Sequence, residues 1–114
     1  MERKDDLLYV GHIRDSIERI ERYVQNGKEH FLEDTQCQDA VMRNFGIIGE
    51  AAKMMSVERK RTHPEIPWKK ITGLRDVVIH DYAGIDWGTI WNIIEHDLPA
   101  LKSVIVEMMS EWEG

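Results

Sequence analysis

The sequence lacks the residues and segments that would form disulfides, thiolate metal clusters or membrane spans. It contains one cysteine, Cys37, in 114 residues, so an internal disulfide and a thiolate metal cluster are both excluded. No uncharged apolar run approaches the roughly 20 residues of a membrane span. The first six residues, Met-Glu-Arg-Lys-Asp-Asp, do not follow the pattern of a signal peptide. We therefore expect a protein of the reducing cytoplasm with no membrane partner, in which Cys37 is a small core residue.

Several metal-binding and phosphate-binding motifs are missing as well. There is no His-Glu-x-x-His, and no histidine follows a glutamate by three positions, as helical di-iron sites require. Gly46-x-x-Gly49 lies in a predicted helix and indicates packing instead of a phosphate loop. The run Glu95-His96-Asp97 has the composition of a metal site, but adjacent helical residues point apart, which favours a solvated face. We expect no metal and no cofactor, and we interpret three further histidines as ordinary surface residues: His12, His30 and His63.

The composition indicates one folded domain spanning residues 1–114. Hydrophobic residues make up 42% and charged residues 32%, as in globular and not in disordered proteins. The net charge of −6 argues against tight non-specific binding of nucleic acid, which needs many phosphate contacts. From Lys53 to Arg75, however, seven basic residues stand against two acidic ones. This segment is compatible with a patch that steers an anionic substrate, and equally with a solvated helix end and loop.

Hydrophobic periodicity predicts helices in the first half of the chain. An apolar stripe at steps of three and four residues indicates a first helix that ends at Asn26-Gly27: Val10, Ile13, Ile17, Ile20 and Val24. A second helix should begin at Asp34 or Thr35, since either side chain can cap an N-terminus. Its buried face is predicted to consist of Val41, Phe45, Ile48, Ala52 and Met55. Gly46 and Gly49 would let another helix approach closely.

The second half of the chain shows the same helical period. Pro67 suits the first turn of a third helix, which should bury Ile71, Leu74 and Val78 and end before Ala83-Gly84-Ile85. Asp86 is predicted to cap a fourth helix that begins at Trp87. Pro99 should kink this helix or split it in two, with Asp97 as the second cap. Its predicted apolar side is Ile90, Trp91, Ile94, Leu98, Leu101, Ile105 and Met108. Because no period-two alternation occurs, we predict an all-α, up-and-down helical bundle.

The clearest chemical pattern is Arg-x-x-x-x-His-x-Tyr at Arg75, His80 and Tyr82. Composition alone predicts about 0.01 such matches in this chain. Arginine can hold a phosphate in its fork, and histidine can carry a proton near neutral pH. Together these groups could cleave RNA by driving a ribose hydroxyl onto its own phosphate. The alternative is a histidine stabilised at a helix end beside an arginine in a surface ion pair.

Helical geometry constrains how this pattern could act. At about 100° per residue, Arg75 and His80 lie roughly 140° apart, so they cannot easily clamp one phosphate from an intact helix. Either the helix ends near His80 and turns its side chain, or two copies meet across a two-fold axis. Asp76, four residues before His80, could accept the ring hydrogen of the imidazole. Trp87 and Trp91 could stack bases, although such a pair more often anchors a core or a subunit interface.

Linked segments along nearly the whole chain carry a family resemblance. They are Arg43–Lys53 (RNFGIIGEAAK), Pro64–Trp68 (PEIPW), Gly73–Tyr82 (GLRDVVIHDY), and Gly84-Ile85-Asp86 followed by Trp91 and Asp97-Leu98-Pro99. In this order they resemble the HepT-like group of HEPN (higher eukaryote and prokaryote nucleotide-binding) domains. That group consists of prokaryotic toxins encoded beside a minimal nucleotidyltransferase antitoxin, MntA.

The resemblance implies a two-fold helical homodimer that acts as a metal-independent endoribonuclease toxin of a type VII-like toxin–antitoxin pair. It assigns Arg75 and His80 to catalysis, and the residue after the arginine, often Asn in this group, is Asp76 here. Cleavage would give a 2′,3′-cyclic phosphate, and MntA would silence the toxin by adenylylating Tyr82. The candidate RNA contacts are Lys53, Lys69 and Lys70. The competing hypothesis is a non-catalytic helical module that binds a nucleotide or docks a nucleotidyltransferase.

Overall fold

The structure is a computed structural model that describes the backbone of residues 2–80 and 84–113 and the side chains of residues 5–77 and 84–112. Throughout these residues the regular structure is helical, which confirms the predicted all-α class. The helices are α1 (Glu2–Tyr23), α2 (Lys28–Glu33), α3 (Thr35–Met54), α4 (Val57–Arg61), α5 (Trp68–Thr72), α6 (Leu74–His80), α7 (Trp87–Asn92) and α8 (Leu98–Glu113). A π-helical segment, Ile93–Asp97, joins α7 to α8.

The core lies where α1 packs against α3 and α8. On α1, the predicted stripe is buried at Val10, Ile13, Ile17 and Ile20, while Val24 is partly buried at its end. The predicted apolar faces of α3 and of the segment from α7 to α8 are buried as well. Apolar burial of this kind drives folding at about 25 cal/mol per Å² removed from water. The long helices therefore form the frame on which the shorter ones are placed.

Two predicted helix caps are present. The Asp34 side chain accepts a hydrogen bond from the Cys37 backbone N–H at 3.1 Å and begins α3. The Asp86 side chain accepts from the backbone N–H groups of Gly88 and Thr89 and begins α7. Each carboxylate satisfies donors that have no partner inside the helix. Cys37 is buried, as predicted, and burial raises the pKa of its thiol, with the nearby Asp34 charge adding to the shift.

The structure contains short helices that the sequence pattern did not predict. Some lie in predicted connections, and one predicted helix is divided in two. The prediction missed α2, which begins after Gly27, the residue with a backbone φ of 95°. It also missed α4, whose N-terminus is capped by the Ser56 hydroxyl. The predicted third helix is wrong as a single unit, because it divides at Gly73 into α5 and α6. Ile71 and Leu74 are nevertheless buried on either side of that division, and the Val78 side chain lies outside the described set.

The last predicted helix is divided near Pro99, although not in the way we expected. The backbone N–H of Leu98 donates to the carbonyl of Ile93, five residues earlier, which is the hydrogen bond of a π-helix. A wider turn just before a proline accommodates the ring that would otherwise clash with the preceding carbonyl. The predicted cap at Asp97 is wrong: this residue lies inside the π segment, and its carboxylate pairs with the Lys70 ammonium at 2.7 Å.

Gly49 lets α3 and α6 approach closely, as predicted. A Cβ atom at this position would lie 2.7 Å from the Arg75 backbone nitrogen and 3.2 Å from the Thr72 carbonyl oxygen. No side chain fits there without moving backbone, so glycine sets the distance between the two helices. For Gly46 the same use stays a prediction.

The two tryptophans near the start of α7 belong to the core. The ring centroid of Phe31 lies 5.6 Å from that of Trp91 and 5.9 Å from that of Trp87. Such edge-to-face and tilted contacts are favourable aromatic packing. They favour the core interpretation over base stacking. Among the described helices, none is long and apolar enough to cross a membrane.

Candidate functional site

The candidate site is built around Arg75, in the first turn of α6. The Arg75 Nε donates to the Glu50 carboxylate of α3 at 2.9 Å, and the two side chains are 41% and 49% exposed. Glu50 follows Gly49, the glycine that brings α6 against α3. The ion pair occupies one edge of the guanidinium, and the two terminal nitrogens carry further N–H donors. Arg75 is therefore oriented by α3 and still able to bind an anion.

Arg75 opens into a cavity of about 280 Å³. Its lining contains three cations, one carboxylate and one hydroxyl group: Lys53, Lys60, Arg75, Asp76 and Thr72. The volume is near the lower end of the ~300–1,000 Å³ typical of ligand pockets. Positive charge is thus concentrated here in a chain whose net charge is −6. A cavity with this charge can attract a phosphate group.

Lys60 is the cation that α4 supplies to the cavity, and its side chain is half-buried. Its ammonium donates to the Ala52 carbonyl near the C-terminus of α3 at 3.0 Å. Burial lowers the pKa of Lys60, and the nearby negative charge of Asp6 opposes this shift. Asp6 is itself buried and accepts hydrogen bonds from the Ser56 backbone N–H and hydroxyl at 2.8 and 2.7 Å. The first helix therefore fixes the start of α4 and, through it, the position of Lys60.

The structure brings some of the sequence-predicted residues together and leaves others apart. Asp76 and Lys53 line the cavity with Arg75. Lys70 instead forms the ion pair with Asp97, and Lys69 is not part of the lining. The His80 side chain and the whole of Tyr82 lie outside the described residues. The orientation of His80 by Asp76 therefore stays a prediction.

The backbone of α6 bears on how Arg75 and His80 could cooperate. The helix includes both residues, since it runs from Leu74 to His80. Five residues of α-helix separate two positions by about 7.5 Å along the axis and roughly 140° around it. The described helix ends at His80. Both arrangements predicted from the sequence, a helix end that turns the His80 side chain and a two-fold dimer, therefore stay predictions.

Sequence reasoning missed the roles of Glu50 and Lys60. Both lie far from Arg75 along the chain, and ordinary surface charges are common at such positions. One signal was available for Glu50, which directly follows the helical glycine Gly49. A close helix contact at that glycine places the next residue beside the partner helix. No spacing rule connects Lys60 to Arg75, because the turn that places it depends on Asp6 and Ser56.

His63 is not the ordinary surface residue that we expected. Its side chain is only 12% exposed. Nδ1 lies 3.1 Å from the Glu65 carboxylate, and Nε2 lies 3.8 Å from the Glu107 carboxylate on α8. The pKa of Glu65 is lowered, first by a hydrogen bond from its own backbone N–H and then by His63. By contrast, His96 is 70% exposed beside Glu95, in keeping with the predicted solvated face.

Comparison with known families decides the classification of the chain. The family described as "Ribonuclease HepT-like" matches residues 13–108, a span that includes the cavity and all of α6. The chain belongs to the HepT-like ribonuclease family. This agrees with the resemblance carried by the segments around Gly49 and Arg75, and the helical bundle is that of a HEPN domain.

Relatives support the membership over nearly the full chain. A probable ribonuclease HepT of Thermococcus cleftensis is 42% identical over 95 residues, which cover 82% of this chain and 86% of the relative. A Methanocaldococcus jannaschii protein, whose name joins a gamma-glutamylcyclotransferase to a candidate RNase, is 41% identical over 112 residues. This match covers 97% of our HepT-like chain but only 50% of that relative. A candidate RNase of Caldanaerobacter subterraneus is 36% identical over 104 residues, covering 90% and 93%. No solved structure matches the chain significantly.

Proposed function

We propose that this HepT-like protein is a metal-independent endoribonuclease whose active site combines Arg75 and His80 at the cleft of a two-fold dimer. The observation that carries the proposal is the cationic cavity beside α6. Arg75 opens into it together with Lys53 and Lys60, while Asp76 adds a carboxylate on the same helix. An RNA phosphate matches the charge of this cavity, and the names of the relatives point to the same class of substrate.

The proposed reaction is an internal transfer at the RNA phosphate. His80 removes the proton of the ribose 2′ hydroxyl, and the freed oxygen attacks the adjacent phosphorus. Arg75 offsets the negative charge that develops on the phosphorane. The bond to the 5′ oxygen then breaks, and that oxygen takes up a proton. The products are a 2′,3′-cyclic phosphate and a 5′ hydroxyl, and the proton transfers balance without another reactant.

Helix geometry supports a dimer. Positions 75 and 80 both lie on α6, and on one α-helix such positions are roughly 140° apart around the axis. A two-fold axis near the ends of α6 would bring the Arg75 of one copy toward the His80 of the other. Sedimentation at micromolar concentration should therefore show a dimer.

Removing the Arg75 guanidinium tests the proposal. In Arg75→Ala we expect RNA cleavage to fall by about 10² to 10³, the loss typical of one donor that stabilises a developing charge. Arg14→Ala is the matched control, because Arg14 also pairs with a neighbouring carboxylate, Asp15, at similar exposure, 39% and 46%. The measurement is the rate of cleavage of a labelled single-stranded RNA. Equal rates in the two variants would exclude Arg75 from the active site.

The competing function is a non-catalytic module in which the same cavity only binds a phosphate. The cavity supports binding in this alternative, because the cations Lys53, Lys60 and Arg75 can bind the phosphate of any nucleotide. The two hypotheses are distinguished by testing purified, unmodified protein for both nucleotide binding and RNA cleavage. A chain that binds nucleotides and leaves RNA intact is a binding module.

Regulation by a nucleotidyltransferase is the second part of the proposal. In the HepT-like toxins, MntA is the expected antitoxin, and Tyr82 is the expected site of adenylylation. Tyr82 is two residues from His80 in the sequence, so an attached adenosine monophosphate would place a phosphodiester anion near the catalytic groups. That anion would compete with RNA for Arg75. The modified protein would thus be an inactive toxin.

Co-expression with a minimal nucleotidyltransferase tests this regulation. We expect the intact mass of the chain to rise by one or more adenylyl units and RNA cleavage to stop. Tyr82→Phe should lose the major addition, because the acceptor hydroxyl is gone. Tyr23→Phe is the control, since Tyr23 is 42% exposed on α1 and should leave the addition in place. An adduct that persists in Tyr82→Phe would assign the modification to another residue.

A further inference from the structure

His63 lies opposite two carboxylates that come from a distant part of the chain. Glu107 and Glu111 are four residues apart on α8, so their side chains leave the same face of that helix. One ligand atom from each of the three residues lies within 4.8 Å of the others. His63 belongs to the connection between α4 and α5, 44 positions before Glu107. The cluster therefore exists only because α8 packs beside that connection.

The hydrogen bonding of the His63 ring points to a cation. An ionised carboxylate only accepts hydrogen bonds, so the 3.1 Å contact between Nδ1 and Glu65 places the ring hydrogen on Nδ1. In the neutral ring, Nε2 then carries a lone pair that faces the Glu107 carboxylate at 3.8 Å. Two acceptors that face each other leave room for a donor or a cation between them. A water molecule or a bound metal ion can take this place, and a metal ion can bind both atoms directly.

We propose that His63, Glu107 and Glu111 bind a divalent transition-metal ion of the Zn²⁺ class. Imidazole nitrogen and carboxylate oxygen atoms both bind zinc, with metal–ligand distances of about 2.0–2.2 Å. Tetrahedral ligands at that distance lie roughly 3.4 Å apart. The observed 3.8 Å between His63 and Glu107 is close to this value. The Glu107 and Glu111 side chains are 55% and 48% exposed, so they can move inward around an ion.

Glu65 completes the arrangement as a positioning residue. Metal-binding histidines usually donate their other ring N–H to a carboxylate, which fixes the tautomer and makes the ligand nitrogen more basic. The contact between Glu65 and Nδ1 of His63 is this interaction. Arg59 acts in the opposite sense, because its guanidinium holds one oxygen of Glu111 at 2.6 Å. A metal ion must share Glu111 with this cation, which keeps the affinity moderate.

The ion would join the C-terminal part of α8 to the connection that follows α4. Arg59 already links α4 to Glu111 and stacks over Trp112, with 4.4 Å between the guanidinium carbon and the ring centroid. A metal at His63 would add a second link one turn away. Since α4 carries Lys60 of the cavity, metal binding would stabilise the element that holds this lysine. The ion itself would not contact RNA, because none of its ligands lines the cavity.

Titration calorimetry of the metal-free full-length chain with Zn²⁺ tests the site. We expect one Zn²⁺ per chain, with an affinity that falls more than about 10-fold in His63→Ala and in Glu107→Gln. Glu107→Gln keeps the size and shape of an exposed side chain, so we expect this variant to fold like the unaltered chain. Glu65→Gln should weaken binding about 10- to 100-fold, as expected of a residue that orients a ligand. Arg59→Gln should strengthen it by removing the competing cation.

His96→Ala is the matched control, because His96 also faces a glutamate, Glu95, at 3.5 Å but has no third ligand near it among the described side chains. It should bind Zn²⁺ like the unaltered chain. Absence of any Zn²⁺ binding by the unaltered chain would overturn the proposal. Unchanged binding in both His63→Ala and Glu107→Gln would overturn it as well, by placing the ion elsewhere.

Discussion

His80→Ala should reduce RNA cleavage by about 10² to 10⁴, the usual effect of removing a general acid or base. The reason is that His80 is the proposed proton carrier, while the Arg75 guanidinium stays charged and cannot take up a proton. Binding of RNA should change much less than the rate, since the cations of the cavity stay in place. The measurement is single-turnover cleavage of a labelled RNA, with the product ends identified by mass.

His12→Ala is the control for this experiment. His12 is an exposed residue of α1 whose ring lies edge-on to Tyr9 with 6.2 Å between centroids, and it does not line the cavity. We expect its variant to cleave RNA at the unaltered rate. If His80→Ala also cleaves at that rate, the activity belongs to another group or to a contaminant, and the proposed mechanism fails.

Gly49→Ala should both destabilise the protein and damage the site. The new methyl group would lie 2.7 Å from the Arg75 backbone nitrogen and 3.1 Å from the Arg75 Cβ. Because the first of these atoms is backbone, α6 must move away from α3 as a unit. Overpacking of this kind costs about 1–3 kcal/mol. For a domain of this size each kcal/mol lowers the Tm by about 4–8 °C, and cleavage should fall because Arg75 moves with its helix.

Gly11→Ala is the matched control, since it makes the same change inside another long helix. A Cβ at Gly11 would meet nothing within 4 Å. Alanine is the better helix former by about 0.5–1 kcal/mol, so this variant should be slightly more stable than the unaltered chain. Thermal unfolding followed by circular dichroism measures both. Equal stability of the two alanine variants would show that α3 and α6 are not as close as the structure places them.

The sequence predicted the long helices well because their patterns are repetitive and their caps are local. Ile13, Ile17 and Ile20 repeat the helical period, and Asp34 needs only the backbone N–H three residues later to begin α3. The short helices were missed because tertiary contacts stabilise them. The start of α4 depends on Asp6, 50 residues before Ser56. No local pattern carries that information.

The site was predictable only in part, for the same reason. Arg75 and Asp76 are adjacent in a motif, so the sequence alone could propose them. Lys60 reaches the cavity through a turn fixed by α1, and Glu50 reaches Arg75 through the close helix contact at Gly49. The ion pair of Lys70 was not predictable for the same reason. Lys70 was predicted as an RNA contact, which stays a prediction, and its pairing with Asp97 depends on how α5 packs beside the π segment.

The cluster of His63, Glu107 and Glu111 could not be predicted from the spacing of residues in the sequence. A search for ligand spacing finds histidines and carboxylates within one helix or loop. Here one helix supplies two glutamates, and a separate connection supplies the histidine. His63 was interpreted as a surface residue because no partner lies at ligand spacing from it in the sequence. That interpretation is wrong because α8 packs against His63 and covers it.

The composite active site is tested most directly by mixing two inactive variants. Arg75→Ala and His80→Ala chains are combined in equal amounts, exchanged into mixed dimers, and assayed on RNA in excess chelator. About half of the dimers should be mixed, and each should hold one complete pair of Arg75 and His80, so about a quarter of the unaltered activity should return. The returned activity should yield 2′,3′-cyclic phosphate ends. A mixture no more active than the separate variants would contradict the account.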